Sequence, residues 1–349
     1  MKFFSPNVSS VIGIDIGTHS IKLVELGGSI ASPKVNAWGV IKTPDNTFAE
    51  NAITNADQLA DAVRTLITQS GATSKVAAVA ISSSHAITKV IGMPADISEL
   101  ELEEQVSIEA LHFVPYPIDE VNIDFEVIGR AANNEQENDV LLVACRRAIV
   151  DEYIDLIEAS DLQLKYVDID TYALERVCRG QTRLIGDSDD PLALFDIGTN
   201  SSHLMLLDKQ RVIYSRHQNF GGVQLIKQIR KEYGVSASEA EGILNSAQLP
   251  GDFISSVQEP FAEQVQQEIN RALQFFYSSS PHSNIDSLVL SGGCASLEGI
   301  AGDLEMKLRT KVSVLNPFSN ARIMSSRSAV ARHSASMSTA YGLSLRGLS

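Results

Sequence analysis

The segment Asp15-Ile16-Gly17-Thr18-His19-Ser20 recurs as Asp196-Ile197-Gly198-Thr199-Asn200-Ser201. Apolar runs precede both copies, Val11–Ile14 and Leu192–Phe195, and apolar runs follow both, within Ile21–Leu26 and Leu204–Leu207. This pattern predicts strand, tight glycine turn, strand, built twice. A chain that makes the same hairpin twice is expected to have two related halves, and two such turns facing each other would clamp phosphate.

In each hairpin the aspartate closes a strand, and the glycine lets the backbone turn and bring N–H groups close to an anion. Residues two apart on a strand share a face, so Thr18, Ser20 and Lys22 point one way from the first turn. Thr199, Ser201 and His203 do so from the second, beside Asn200. Lys22 can neutralise a phosphate. Asp15 and Asp196 cannot bind one directly, because like charges repel, but they can hold a hydrated Mg²⁺ that does.

A third element is Leu288-Val289-Leu290-Ser291-Gly292-Gly293-Cys294. Here an apolar strand ends in two glycines and a helix is expected to begin. Positions without side chains let a planar base or a ribose lie against backbone, and a helix N-terminus favours anions. Third in order after two phosphate hairpins, Ser291, Gly292 and Gly293 read as an adenosine site. Cys294 has no sequence neighbour that would activate it, and reads as a small packing residue of that site. Gly221-Gly222 opens a further helix and is counted with the nucleotide-contacting residues. No GxxxxGK[ST], GxSxG, HxxH or HxxxH pattern occurs.

Composition narrows the classes. A net charge of -15 argues against nucleic acid, whose binding depends on phosphate neutralisation. No apolar stretch approaches the roughly 20 residues that span a bilayer. Three cysteines without paired spacing fit a reducing, cytoplasmic compartment. Strands alternate with helices, which argues α/β. A helix is expected over Asp57–Ser70, and an acidic helix capped by Asp96 and Glu99, with Leu100, Val106, Ala110 and Leu111 as its apolar stripe. Strands Val121–Ile128 and Asp139–Cys145 are expected to flank a polar loop over 132–138. The boundary between the halves is expected in the polar Gln181–Asp190 stretch.

The order of two phosphate hairpins and an adenosine Gly-Gly resembles the superfamily of actin, heat-shock chaperone ATPases and hexokinase. Within it the chain is similar to the PilM family of type IV pilus assembly proteins, which are cytoplasmic and FtsA-like. The resemblance rests on Ala86–Pro94, Pro115-Tyr116-Pro117-Ile118-Asp119-Glu120-Val121, Leu141-Leu142-Val143-Ala144-Cys145-Arg146, Val167-Asp168-Ile169-Asp170 and Asn316-Pro317-Phe318. It implies an actin-like ATPase fold: two duplicated α/β halves around a cleft for Mg²⁺ and ATP, with one FtsA-like relocated subdomain. The implied subdomains are 1–84 with 166–189, the relocated 85–165, 190–220 with 287–349, and 221–286. The implied partner is the cytoplasmic N-terminal peptide of a PilN-type inner-membrane protein, bound between the first subdomain and the relocated one. Leu102, Val106, Glu109 and Phe113 are candidate lining residues. Pilus motor ATPases or a platform protein are further implied partners, and recruitment to the inner membrane would come through a partner, with no transmembrane segment of the chain's own. Glu241 would reach the ribose. Many related chains follow that Ala-Glu pair with lysines, whereas here Gly242-Ile243-Leu244-Asn245 follows, so a cationic contact is missing. ATP hydrolysis is expected to be slow or incidental, because no residue stands out as a base for water. The alternatives are a filament-forming ATPase of the FtsA type and a small-molecule kinase of the hexokinase type.

Overall fold

A computed structural model describes residues 10–49, 52–131, 134–181, 190–209, 211–246, 248–323, 330 and 333–348. The expected boundary between the halves falls largely on residues 182–189, outside the described ones, as does the hairpin tip at 132–133.

The first half opens with an antiparallel meander, β1 (Ile12–Ile16), β2 (Ser20–Ser29) and β3 (Ser32–Lys42), followed by the ribbon β4 (Phe48–Ala49) and β5 (Ala52–Ile53). Helix α1 (Ala56–Ser70) follows. It starts where Asn55 accepts from the Gln58 N–H at 3.1 Å and stops at left-handed Gly71, whose N–H reaches the Ile67 carbonyl. Strand β6 (Val76–Ile81) then runs parallel to β1. An inserted unit comes next: β7 (Ala86–Pro94), α2 (Glu99–Ala110), β8 (Val121–Ala131) and β9 (Asn134–Arg146). Helix α3 (Arg147–Ala159), β10 (Gln163–Ile169) and α4 (Asp170–Arg179) complete the half.

The second half repeats the plan with β11 (Leu192–Ile197), β12 (Ser202–Asp208), β13 (Arg211–Gln218), α5 (Gly222–Tyr233), α6 (Ala237–Leu244), α7 (Glu259–Ser279), β14 (Leu288–Gly292), α8 (Ile300–Leu308) and β15 (Val312–Val314). Strand β16 (Arg322–Ile323) and helix α9 (Ser338–Ser344) follow. The sheets have the orders β10-β6-β1-β2-β3-β16 and β15-β14-β11-β12-β13. Apart from the edge strand β16, they correspond strand for strand: the hairpin sits at the centre, with two parallel strands beyond it on one side and a third antiparallel strand on the other. The duplicated segment thus marks a duplicated topology.

The halves interlock. Residues from β2, α4, β11, β12 and α9 share one core, including Val24, Leu26, Leu174, Leu194, Met205, Ala340 and Tyr341. Ser344 Oγ donates to the Val11 carbonyl at 2.7 Å and accepts the Leu26 N–H at 2.9 Å, tying α9 to the first sheet. Helix α7 closes the other face of the second sheet. Its Phe261, Val265, Ile269, Leu273 and Phe276 are all buried, at the spacing of one helix face. Each such side chain contributes about 2 kcal/mol of burial.

Helix α2 departs from the sequence reading. Its cap is the Ser98–Glu101 box, not Asp96–Glu99. The buried face is Leu102, Val106 and Ala110, packed on the sheet β7-β9-β8. Leu100 is 69% exposed and Leu111 58%. Residues four apart stack on one face, which fixes 102, 106 and 110 as the inner row, and a residue two places away lies on the far side. Strand β9 also begins earlier than expected, with Asn134 already paired to Ala131, so most of the polar loop is strand. Leu156, Ile157 and Leu162 bury themselves in the core of the first half beside α1. The sheet and helix of the inserted unit run from Ala86 to Arg146.

Candidate functional site

The two hairpins are built alike. On the ladder Asp15 stands opposite Lys22, and Asp196 opposite His203. Gly17 N–H donates to the Ser20 carbonyl at 3.1 Å, and Gly198 N–H to that of Ser201 at 2.9 Å. Both glycines thus spend their own N–H on closing the turn. An anion would be met by the residues that follow, Thr18–His19 and Thr199–Asn200, which line the cleft. The tips touch across it: Asn200 Nδ2 donates to Thr18 Oγ1 at 3.3 Å.

Between the tips lies a cavity of about 300 Å³, lined by Thr18, His19, Lys42, Thr43, Thr199, Asn200 and Glu241 with the 44–48 loop. Glu241 projects from α6. Lys42 Nζ, at the end of β3, donates to its Oε2 at 3.0 Å, and His19 Nδ1 stands 4.0 Å from Oε1. The Glu241 bond and charge push the Lys42 pKa up. A cation from the other half thus stands beside Glu241. Lys42 ends an ordinary strand, and no local pattern singles it out.

Deeper in, the cleft gathers carboxylates. Lys22 Nζ bonds Asp15 Oδ2 at 2.9 Å. Parallel pairing of β1 with β6, and of β6 with β10, brings the turn after β6 and the start of α4 to the same sheet edge as Asp15. Such an edge, where strand order reverses, is the usual ligand position in open α/β sheets. There Asp170 Oδ1 accepts the Ser83 N–H at 3.0 Å and the Thr171 N–H at 2.7 Å. Burial pushes the Asp170 carboxyl up to about 6, against those two N–H bonds. Ser83 Oγ lies 3.0 Å from His203 Nε2, and His203 Nδ1 is 3.7 Å from Asp170 Oδ2. Burial raises the pKa of Asp196 and lowers that of its neighbour His203. Among the described residues, no group of three or more His, Cys, Asp or Glu is spaced to hold a metal ion. Ser83 and Asp170 were not singled out from the sequence. An aspartate at the C-terminal end of a strand that opens a helix, as Ile169-Asp170 does, was the available signal.

The remaining nucleotide candidates divide. A methyl on Gly221 would lie 2.5 Å from the carbonyl oxygens of Gly198 and Thr199. The Gly222 and Val223 N–H groups donate to those same oxygens at 2.9 and 3.0 Å, and Gly221 N–H donates to Gln224 Oε1. Gly221 and Gly222 brace the second tip from behind, with their N–H groups committed. Gly292, at φ 87°, packs on the Ile197 backbone, whereas a methyl on Gly293 would meet open space. The helix that begins at Gly293 is a single 3₁₀ turn to Ser296, and α8 follows from Ile300. Ser291 is buried, and its hydroxyl lies against the Ala335 carbonyl and the Asp196 carboxyl. The Cys294 thiol is pushed up to about 12 by burial, beside Gly222.

Of the partner candidates, Leu102 and Val106 belong to the core under α2 and are closed to a partner. Phe113 is exposed, and Glu109 is half-buried. Near Phe113, at the base of the inserted unit, a narrow crevice is lined by His85, Ile87, Tyr116, Val121 and Arg146, among others. No described helix is long and apolar enough to cross a membrane.

The family model described as type IV pilus assembly protein PilM matches residues 13–348. Solved structures share the architecture. The PilM-PilN type IV pilus biogenesis complex matches at 23% identity and a TM-score of 0.83, covering 97% of this chain and 99% of that one. Ethanolamine utilization protein EutJ from Carboxydothermus hydrogenoformans matches at 15% identity and TM-score 0.61, covering 96% and 89%. MreB 5 of Spiroplasma citri bound to AMPPNP matches at 10% and 0.51, covering 97% and 95%. The fold is the actin-like ATPase fold.

Proposed function

The chain belongs to the family of type IV pilus assembly protein PilM, and we propose that it is an ATP-binding adaptor which holds the cytoplasmic N-terminal peptide of a PilN-type inner-membrane protein. The observation that carries the nucleotide half of this reading is the meeting of the two hairpin tips over one cavity. The PilM-PilN complex that shares the fold supports the partner half.

The donor set fits Mg-ATP. A cavity of about 300 Å³ is at the lower end of small-molecule sites. Thr18, Lys22, Thr199 and Asn200 would take the phosphates, with Ser20 and Ser201 at the turn closures. Asp15 and Asp196 would hold Mg²⁺ through its waters, several of which this ion keeps. Glu241, held by Lys42, would take the ribose, and the open face at Gly293 the base. Bound Mg²⁺ would supply charge neutralisation between phosphates and carboxylates.

The peptide would lie where the inserted unit meets the first half, along the crevice at His85, Ile87, Tyr116 and Arg146 and the exposed Phe113. Such a peptide would bring the chain to the inner membrane. Motor ATPases or a platform protein are further partners on the same reading.

Asp196→Ala is expected to weaken Mg-dependent ATP binding at least tenfold, because the carboxylate that closes the strand before the second hairpin is lost. Calorimetry with and without Mg²⁺ checks this, and an affinity equal to wild type would count against the clamp.

A further inference from the structure

Charge in this chain is divided between two surfaces. Between Ala86 and Arg146 thirteen acidic residues stand against three basic ones, a net -10 of the chain's -15. After Glu305 there is no acidic residue, and seven basic ones follow, Lys307, Arg309 and Lys311 first. Helix α2 is the centre of the first surface. Five of its twelve residues are glutamate, and none is lysine or arginine. Its outer face, opposite the buried row 102, 106 and 110, carries Leu100, Ile108 and Leu111, which are 69%, 59% and 58% exposed, with the exposed Glu103 and Glu104 among them. The second surface lies where α8 runs into the edge strand β15. There Met306 is 74% exposed and Val314 38%, beside the exposed Arg309 and Lys311. Glu305, the last acid, spends its carboxylate on the Val312 N–H at 3.0 Å. Large apolar side chains held in water on a face of one charge mark a contact surface.

The charges decide what the α2 face can meet. It repels anionic lipid and nucleic acid, and a second α2 would set five glutamates against five. Its complement, basic and apolar together, stands on the chain's own surface at α8 and β15. We propose that copies of this chain associate head to tail, α2 of one copy against α8 and β15 of the next. Leu100, Ile108 and Leu111 then cover Met306 and Val314, while Glu103 and Glu104 face Arg309 and Lys311. The contact is heterologous, so association continues from copy to copy unless the series closes on itself. It is weak, because a few apolar side chains bury little area and rim charges add more to encounter and register than to affinity. It takes none of the residues that line the cavity between the hairpin tips or the crevice at Tyr116, so an associated copy keeps both open. Association is therefore the same with and without Mg-ATP.

Analytical ultracentrifugation of the full chain tests this, from micromolar to submillimolar protein. The mass should rise with concentration at low salt and fall back towards the monomer at high salt. Reversing the first surface with E103K and E104K should weaken association about tenfold or more, and so should reversing the second with R309E and K311E. Each double variant alone sets like charge against like. Mixed in equal amounts they should associate again, through the intact α2 of the second and the intact α8 of the first, a recovery that misfolded protein would not give. A wild type that stays monomeric throughout would overturn the proposal. So would variants that associate as wild type does, or a mixture no more associated than its components. Assembly that appears only with Mg-ATP would overturn it as well, and would assign the contact to the nucleotide cleft.

Discussion

Gly292→Ala is expected to cost the second half its fold, while Gly293→Ala leaves the fold intact and weakens nucleotide binding. Two independent penalties meet at Gly292. Its φ of 87° disfavours any side chain, and a methyl there would lie 2.2 Å from the Ile197 carbonyl oxygen and 2.7 Å from the Ile197 nitrogen. The neighbour is the backbone of the central strand β11, fixed by ladders on both sides, so it cannot move aside. Together these should exceed about 4 kcal/mol, the range of severe backbone and overpacking substitutions. The variant should be insoluble or melt far below wild type by circular dichroism. At Gly293 a methyl meets open space. That variant should melt with wild type yet bind ATP about tenfold more weakly, which is about 1.4 kcal/mol, because the methyl takes space that the base would occupy in the proposed nucleotide site. Equal stability of the two variants would contradict the account of this turn.

Asp170→Asn should make the protein more stable at neutral pH, and the gain should disappear in acid. Burial holds the folded-state pKa of Asp170 at about 6, above its ordinary 3.8. The folded state therefore binds this proton more tightly than the unfolded state. Stability from this group is fully present below the unfolded pKa and is lost as pH rises through the folded one. By pH 7.5 the charged carboxylate costs at most about 3 kcal/mol relative to a neutral group. Asparagine removes that cost and keeps an oxygen for the Ser83 and Thr171 N–H groups, both of which now meet Oδ1. Denaturant unfolding at pH 4 and pH 7.5 checks the sign. A variant less stable than wild type at pH 7.5, or a gain larger at pH 4, would contradict the burial argument.

The duplicated hairpin was legible because all its chemistry lies within one turn: an aspartate, a glycine and hydroxyls at fixed spacing report on themselves. The α7 stripe was legible for a similar reason, five large apolar residues keeping one helical period. What was not legible depends on strand order. Lys42, Ser83 and Asp170 each end or follow a strand with unremarkable neighbours, and only the sheet order β10-β6-β1-β2-β3 brings them to one edge. Helix α2 misled because it carries apolar residues all round. A stripe drawn through Leu100 and Leu111 is as regular as the true one, and only the sheet beneath decides between them. The two glycines of the third element were read as one feature. The backbone separates them into a position that packs on Ile197 and one that is open.

The measurement that tests the central claim most directly is binding of a fluorescently labelled N-terminal peptide of a PilN-type protein, followed by anisotropy with and without Mg-ATP. The adaptor reading predicts saturable binding, with an affinity that shifts when the cleft is filled. No binding in either condition, by protein that melts cooperatively and binds ATP in the calorimeter, would contradict it, and a sedimenting fraction that grows with ATP in the same samples would favour a polymer instead.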